Sequence, residues 1–126
     1  MNQIDNYLKK INAPSDSWCV LLDSWISLVE DCENGYGSNE YEFDFDANER
    51  GYLEKLLNES ALPDEMLKPL RDSVDRIDQR LKCLFQENVK RNNKSPYWWK
   101  HGVLKRAGWE YVDSLKAKGI SVELIE

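Results

Sequence analysis

Between Glu30 and Glu49 this 126-residue chain carries eight carboxylates: Glu30, Asp31, Glu33, Glu40, Glu42, Asp44, Asp46 and Glu49. No lysine or arginine lies from Ile11 to Glu49, so nothing nearby in sequence neutralises them. Acids at this density could hold a cation, exchange protons with a substrate, or present charge to a basic partner. A calcium loop is tested by spacing. Asp44, Asp46 and Asn48 match its first three ligand positions, but Glu49 stands where the sharp turn needs glycine and Lys55 where a bidentate glutamate belongs. Zinc fails sooner, because one histidine and three scattered cysteines give no ligand set with the usual spacing.

Covalent catalysis has equally little to work with. His101 is the only imidazole and would have to meet Cys19, Cys32 or Cys83, all on partly apolar helical patterns. No Gly-x-Ser-x-Gly turn or phosphate-cradling glycine loop occurs, and abundant acids on an acidic chain are no evidence of general acid–base chemistry. No catalytic residue, metal or cofactor is therefore expected. What remains is recognition. Tyr41, Phe43 and Phe45 alternate with Glu40, Glu42, Asp44 and Asp46, so an extended segment would set rings on one side and charge on the other. That pattern suits a negative docking surface for a basic partner. It equally suits a loop whose rings plug into the core.

The elements that would carry this segment read as helices. Ile4, Tyr7, Leu8 and Ile11 fall at helical spacing over residues 3–11. Residues 16–33 place Trp18, Leu21, Leu22, Trp25, Leu28, Val29 and Cys32 on one face, a central core helix stopped by Asn34, Gly35 and Gly37. Its last turn holds Glu30, Asp31 and Glu33, the wrong sign for a helix C-terminus. Asp46-Ala-Asn-Glu49 has the pattern of a capping box opening a helix to about Ser60. Residues 64–91 carry the seam Leu70, Val74, Ile77, Leu81 and Leu84, with Pro69 expected in a first turn or at a break. Arg71, Asp72, Asp75, Arg76, Asp78 and Arg80 form the opposite, self-paired face. A last helix near 108–118 uses Trp109, Val112 and Leu115, and Ile120–Ile125 could be a strand with no obvious partner. The expected fold is all-α: a single domain over 1–126, a bundle of about five helices with an acidic loop between the second and third.

Composition sets further bounds. With 41% hydrophobic residues, five Trp and six Tyr, the chain can bury a core. A net charge of −6 argues against nucleic acid as the main partner. Yet residues 79–118 hold ten Lys/Arg against three Asp/Glu, the reverse of residues 11–49. Within them Lys90 to Arg106 surrounds Tyr97, Trp98 and Trp99, which could stack nucleobases or cap the bundle. A nucleic-acid-associated regulator using 90–106 is therefore the alternative. No apolar stretch approaches the roughly 20 residues of a membrane span, and no signal pattern opens the chain. A cytoplasmic protein with reduced, mostly buried cysteines is expected.

The run Glu30-Asp31-Cys32-Glu33-Asn34-Gly35-Tyr36-Gly37-Ser38-Asn39-Glu40-Tyr41, after Trp25 and before further acids and rings, resembles bacterial immunity proteins. These protect a cell from polymorphic or contact-dependent growth-inhibition toxins. The Tyr97-Trp98-Trp99 segment before a short helix is similar to C-terminal parts of some of them. The resemblance implies a protein without catalysis that covers a cognate toxin domain, often a nuclease with a basic cleft, its carboxylates standing in for phosphates. The contact set it points to is Glu40, Tyr41, Glu42, Phe43 and Asp44, supported by Asp31, Glu33 and Tyr36.

Overall fold

A computed structural model describes residues 3–91 and 93–125. Helix α2 (Trp18–Asn34) is the centre of the molecule. Its stripe of Leu21, Leu22, Trp25, Leu28, Val29 and Cys32 is buried, and Trp25 has no exposed surface. Helices α4 (Asn48–Leu57) and α5 (Asp64–Lys82) pack on that stripe, and α1 (Gln3–Lys10) closes against α2 and α4. The seam on α5 buries Leu67, Leu70, Val74, Ile77 and Leu81 as its spacing requires. Gly35 ends α2 in the left-handed region at φ 104°, its N–H bonded to Cys32 O at 3.3 Å. A Cβ at Gly35 would also stand 3.0 Å from Ile125 Cδ1, so this turn needs glycine for packing as well as for backbone.

The structure departs from the sequence-based expectation at several places. The acidic loop is a helix, α3 (Glu40–Asp46), and not an extended strip. Asn39 caps it, its side-chain oxygen accepting from the N–H groups of Tyr41 at 3.0 Å and Glu42 at 2.9 Å. Glu40 and Glu42 in its first turn suit the positive end of the helix. At 3.6 residues per turn, Tyr41 and Phe45 share one face and Phe43 takes the other. Phe43 is accordingly buried, whereas Tyr41 and Phe45 are 66% and 69% exposed. The capping box does not form: Ala47 stands between α3 and α4, and no side chain caps α4.

Helix α5 runs through Pro69 and stops at Lys82, short of residue 91. Past Lys82 the chain tightens into a turn, with Leu84 N–H to Leu81 O at 2.9 Å, and Asn88 further on adopts φ 61°. Phe85 instead pairs with Leu104 in an antiparallel bridge, with Gln86 N–H to Val103 O and Lys105 N–H to Leu84 O, both 2.8 Å. A Cβ at Gly102 would fall 2.1 Å from the Phe85 ring, so this crossing depends on glycine. The tail does find a partner. Strand β1 (Arg106–Ala107) pairs in parallel with β2 (Glu123–Leu124), beside helix α6 (Trp109–Lys116). Gly119 turns the chain there at φ 76°, with Ile120 N–H to Leu115 O at 3.0 Å. The molecule is a mostly helical single domain, with this one small sheet among the described residues. Trp109, expected inside, is 64% exposed, and of the cysteines only Cys32 is buried, Cys19 and Cys83 being exposed.

Candidate functional site

Helix α2 buries one face and leaves a second row, Val20 followed by the polar Asp23, Ser24, Ser27 and Asp31, at steps of three, one, three and four, above Leu28. The corner between α3 and α4 stands opposite and contributes Phe45, Asp46 and Glu49. Between them lies an open groove of about 500 Å³. Among the described residues its lining holds four carboxylates, two hydroxyls and no lysine or arginine. Val20, 52% exposed, and Phe45 supply apolar surface in the same lining.

One carboxylate of the groove is fixed from behind. The Tyr36 hydroxyl donates to Asp46 Oδ2 at 2.8 Å. Burial first, and then this bond and the Asp46 charge, push the Tyr36 hydroxyl well above its ordinary pKa, so it stays a donor. Cys32 lies behind the groove too. Burial and then the charges of Asp31, Asp46 and Glu33 hold its thiol protonated, which removes it as a nucleophile. His101 is occupied in its own loop, Nε2 lying 2.5 Å from Ser95 O, and no hydrogen bond joins it to a cysteine among the described residues. Among the described residues no group of three or more His, Cys, Asp or Glu side chains is placed to share a metal ion. The residues that matched a calcium loop lie on α3 and α4, with Asp44 held by Arg91 and Asp46 by Tyr36.

No protein-family model, curated protein or solved structure matches the chain.

Of the eight residues proposed from sequence, Asp31 lines the groove, and Tyr41 and Glu42 are exposed on α3. The other five are engaged in the fold. Phe43 and Tyr36 are core rings, 5.7 Å apart edge to face. Glu33 is held by Arg80, with Oε1 to Nη2 at 2.5 Å and Oε2 to Nε at 3.1 Å. Asp44 meets the buried Arg91 at 2.9 and 3.3 Å. Glu40, 1% exposed, pairs with Lys118, and its N–H donates to Ser114 Oγ at 3.1 Å. The basic half of the chain thus reaches back and neutralises part of the acidic half. The carboxylates around the groove lie outside that exchange.

The aromatic segment 97–99 is largely a cap. It forms a 3-10 turn (Trp98–Lys100) in which Trp99 is 1% exposed, stacked on Tyr97 at 4.5 Å and 6.1 Å from Trp25. Arg50 lies 4.6 Å from the Trp99 ring centre. Arg50 itself is the residue that sequence reasoning missed entirely. Buried beside Trp25, it donates to both Asp78 oxygens at 3.0 and 2.8 Å and to Glu54 at 2.9 Å, while Trp25 Nε1 donates to Asp78 at 3.0 Å. Burial alone would lower its pKa, but Asp78 and then Glu54 more than offset that, so it is raised. Asp78, expected on the solvated face of α5, is instead an anchor of the core. A signal did exist for the groove: polar residues at positions 23, 24, 27 and 31 repeat at helical spacing with no cation near them in sequence.

Proposed function

We propose that this protein is an immunity-type inhibitor that neutralises a toxin domain by docking the α2/α3–α4 groove onto a cationic cleft. The observation that carries this reading is the groove's lining: Asp23, Asp31, Asp46 and Glu49 together, without a lysine or arginine among the described lining residues, whereas Glu33, Glu40 and Asp44 of the same acidic half are paired with Arg80, Lys118 and Arg91. Unbalanced carboxylates raise the local potential and steer an oppositely charged partner. Charge chiefly gives rate and specificity, so affinity has to come from apolar anchors. Phe45 and Tyr41 fill that role, one helical turn apart on the same face of α3, with Glu42 between them. The contact set becomes Asp23, Asp31, Asp46, Glu49, Tyr41, Glu42 and Phe45.

The test is co-expression with the toxin domain encoded by the adjacent gene, read as rescue of growth and as association rate by surface plasmon resonance. Changing Asp23, Asp31 and Glu49 together to lysine should slow association by about tenfold or more at low salt and flatten its salt dependence. Unchanged rate and rescue by a folded triple variant would move the docking surface off this groove. Retention on heparin at moderate salt, lost when Lys90, Lys94 and Lys105 are neutralised, would turn the reading to nucleic acid.

A further inference from the structure

On the other side of α4 from Glu49 lies a second, smaller cleft of opposite character. It encloses about 240 Å³ between Gly51, Tyr52 and Lys55 of α4 and Tyr97, Trp99 and Lys100 of the aromatic turn. Among the described residues no carboxylate lines it. In a chain whose acids outnumber its cations 23 to 17, two lysines converge here, and neither has a carboxylate within ion-pair distance among the described residues. The wall is rigid: Tyr97 is stacked on Trp99 with 10° between their planes, and Trp99 is backed by Arg50. The buried indole N–H of Trp99 finds no acceptor among the described residues, a rare state for a buried donor. Lys55 Nζ stands 5.4 Å from the Tyr52 ring, so cation and aromatic face are presented together.

We infer that this cleft binds a small organic anion built on a single flat ring, a carboxylate or phosphate ester. The two ammonium groups would hold the anionic end, and the tyrosine and tryptophan rings the flat body. The volume is below that of sites for drug-sized ligands, which selects a one-ring compound. This site is separate from the acidic groove and stands whether or not that groove docks a toxin.

The experiment is a titration followed by amide shifts of Gly51, Tyr52 and Lys100 in NMR, with phenyl phosphate, benzoate, inorganic phosphate and benzyl alcohol as probes. Saturable shifts are expected with phenyl phosphate or benzoate, whichever is tighter naming the anion. Inorganic phosphate and benzyl alcohol should each bind at least about tenfold more weakly. Lys55→Gln, at an exposed position, and Lys100→Gln, at a half-buried one, should each weaken binding by about tenfold, the scale of one charge-assisted hydrogen bond. Gly51→Ala puts a methyl 3.6 Å from Tyr97 Cε2, an ordinary contact, and improves the helix. It should raise the thermal midpoint yet weaken the ring compounds by narrowing the floor. Equal binding of benzyl alcohol would mean an apolar crevice only, and equal binding of inorganic phosphate unspecific surface charge. Either result, indifference to both lysine changes, or no saturation by any ring anion overturns the assignment.

Discussion

The two faces flanking α4 differ in what their charges have to do. On one, Glu49 joins Asp23, Asp31 and Asp46 around a groove without a cation; on the other, Lys55 and Lys100 meet in a cleft without an acid. Along the sequence the charges are sorted into an acidic half and a basic half, but in the fold they are sorted by face. Three pairs cross between the halves, Glu33–Arg80, Glu40–Lys118 and Asp44–Arg91, and fasten α2 to α5, α3 to the chain after α6, and α3 to the loop after α5. The lesson is that charge asymmetry in a sequence is partly structural mortar. Charges outside such pairs, those of the groove and the cleft among them, are what is available for binding.

The strongest way to break this contrast is to release α4, which both faces share. Asp78→Ala removes the partner of buried Arg50 and the acceptor of Trp25, and should destabilise by about 3–5 kcal/mol in urea unfolding. Replacing Arg50 and Asp78 together by Met and Leu should recover most of that loss, because an uncompensated buried charge, more than the lost attraction, sets the cost. A double variant as unstable as the single one would mean that the pair itself, and not the orphaned charge, carries α4.

Next in size is the contrast within α3. Phe43→Ala should cost about 3–5 kcal/mol, whereas Phe45→Ala two residues on should stay within about 0.5 kcal/mol and weaken only partner binding, through faster dissociation. Equal effects at the two sites would restore the extended segment that alternation suggested. Smaller again is the groove. Neutralising Asp23, Asp31 and Glu49 to Asn, Asn and Gln should leave the thermal midpoint unchanged or slightly higher, since like charges there only repel. A clear drop would reveal a structural role for those acids.

The helices were largely legible because their apolar stripes repeat at helical spacing: Trp25 and Leu28 on α2, and Leu70, Val74 and Ile77 on α5, are buried as the pattern requires. Residues 40–46 were not. Seven residues alternating ring and acid satisfy a period of two, and the helix is decided by the Asn39 cap and by Phe43 finding Tyr36 and Tyr111. The candidate site was half visible for the same reason. Counting acids marks the segment, but burial of Glu40 and pairing of Asp44 depend on Lys118 and Arg91, far along the chain. Likewise Asp78 reads as one more member of a charged face until Arg50 and Trp25 are set beside it.

The smallest effect separates an exposed staple from a buried one. The hydrogen bond from Arg80, and with it the Arg80 charge, holds the Glu33 carboxyl below its ordinary value of 4.5 against a modest desolvation that opposes it. A depressed folded-state pKa contributes stability that is present above 4.5 and is lost as pH falls through the lowered value. The difference in thermal midpoint between the parent chain and Arg80→Gln should therefore be constant at neutral pH and close as the solution is acidified past that window. Both partners are more than a third exposed by side chain (39% and 35%), so the difference should be small and should shrink in salt on the order of 1 M. Arg91, whose side chain is 1% exposed, should behave otherwise: the penalty of Arg91→Gln, read in the same melts, should persist in that salt. If salt erased both penalties alike, the Asp44–Arg91 staple would be no more buried in solution than the Glu33–Arg80 pair, and α3 would be held by its rings and by the Glu40–Lys118 pair.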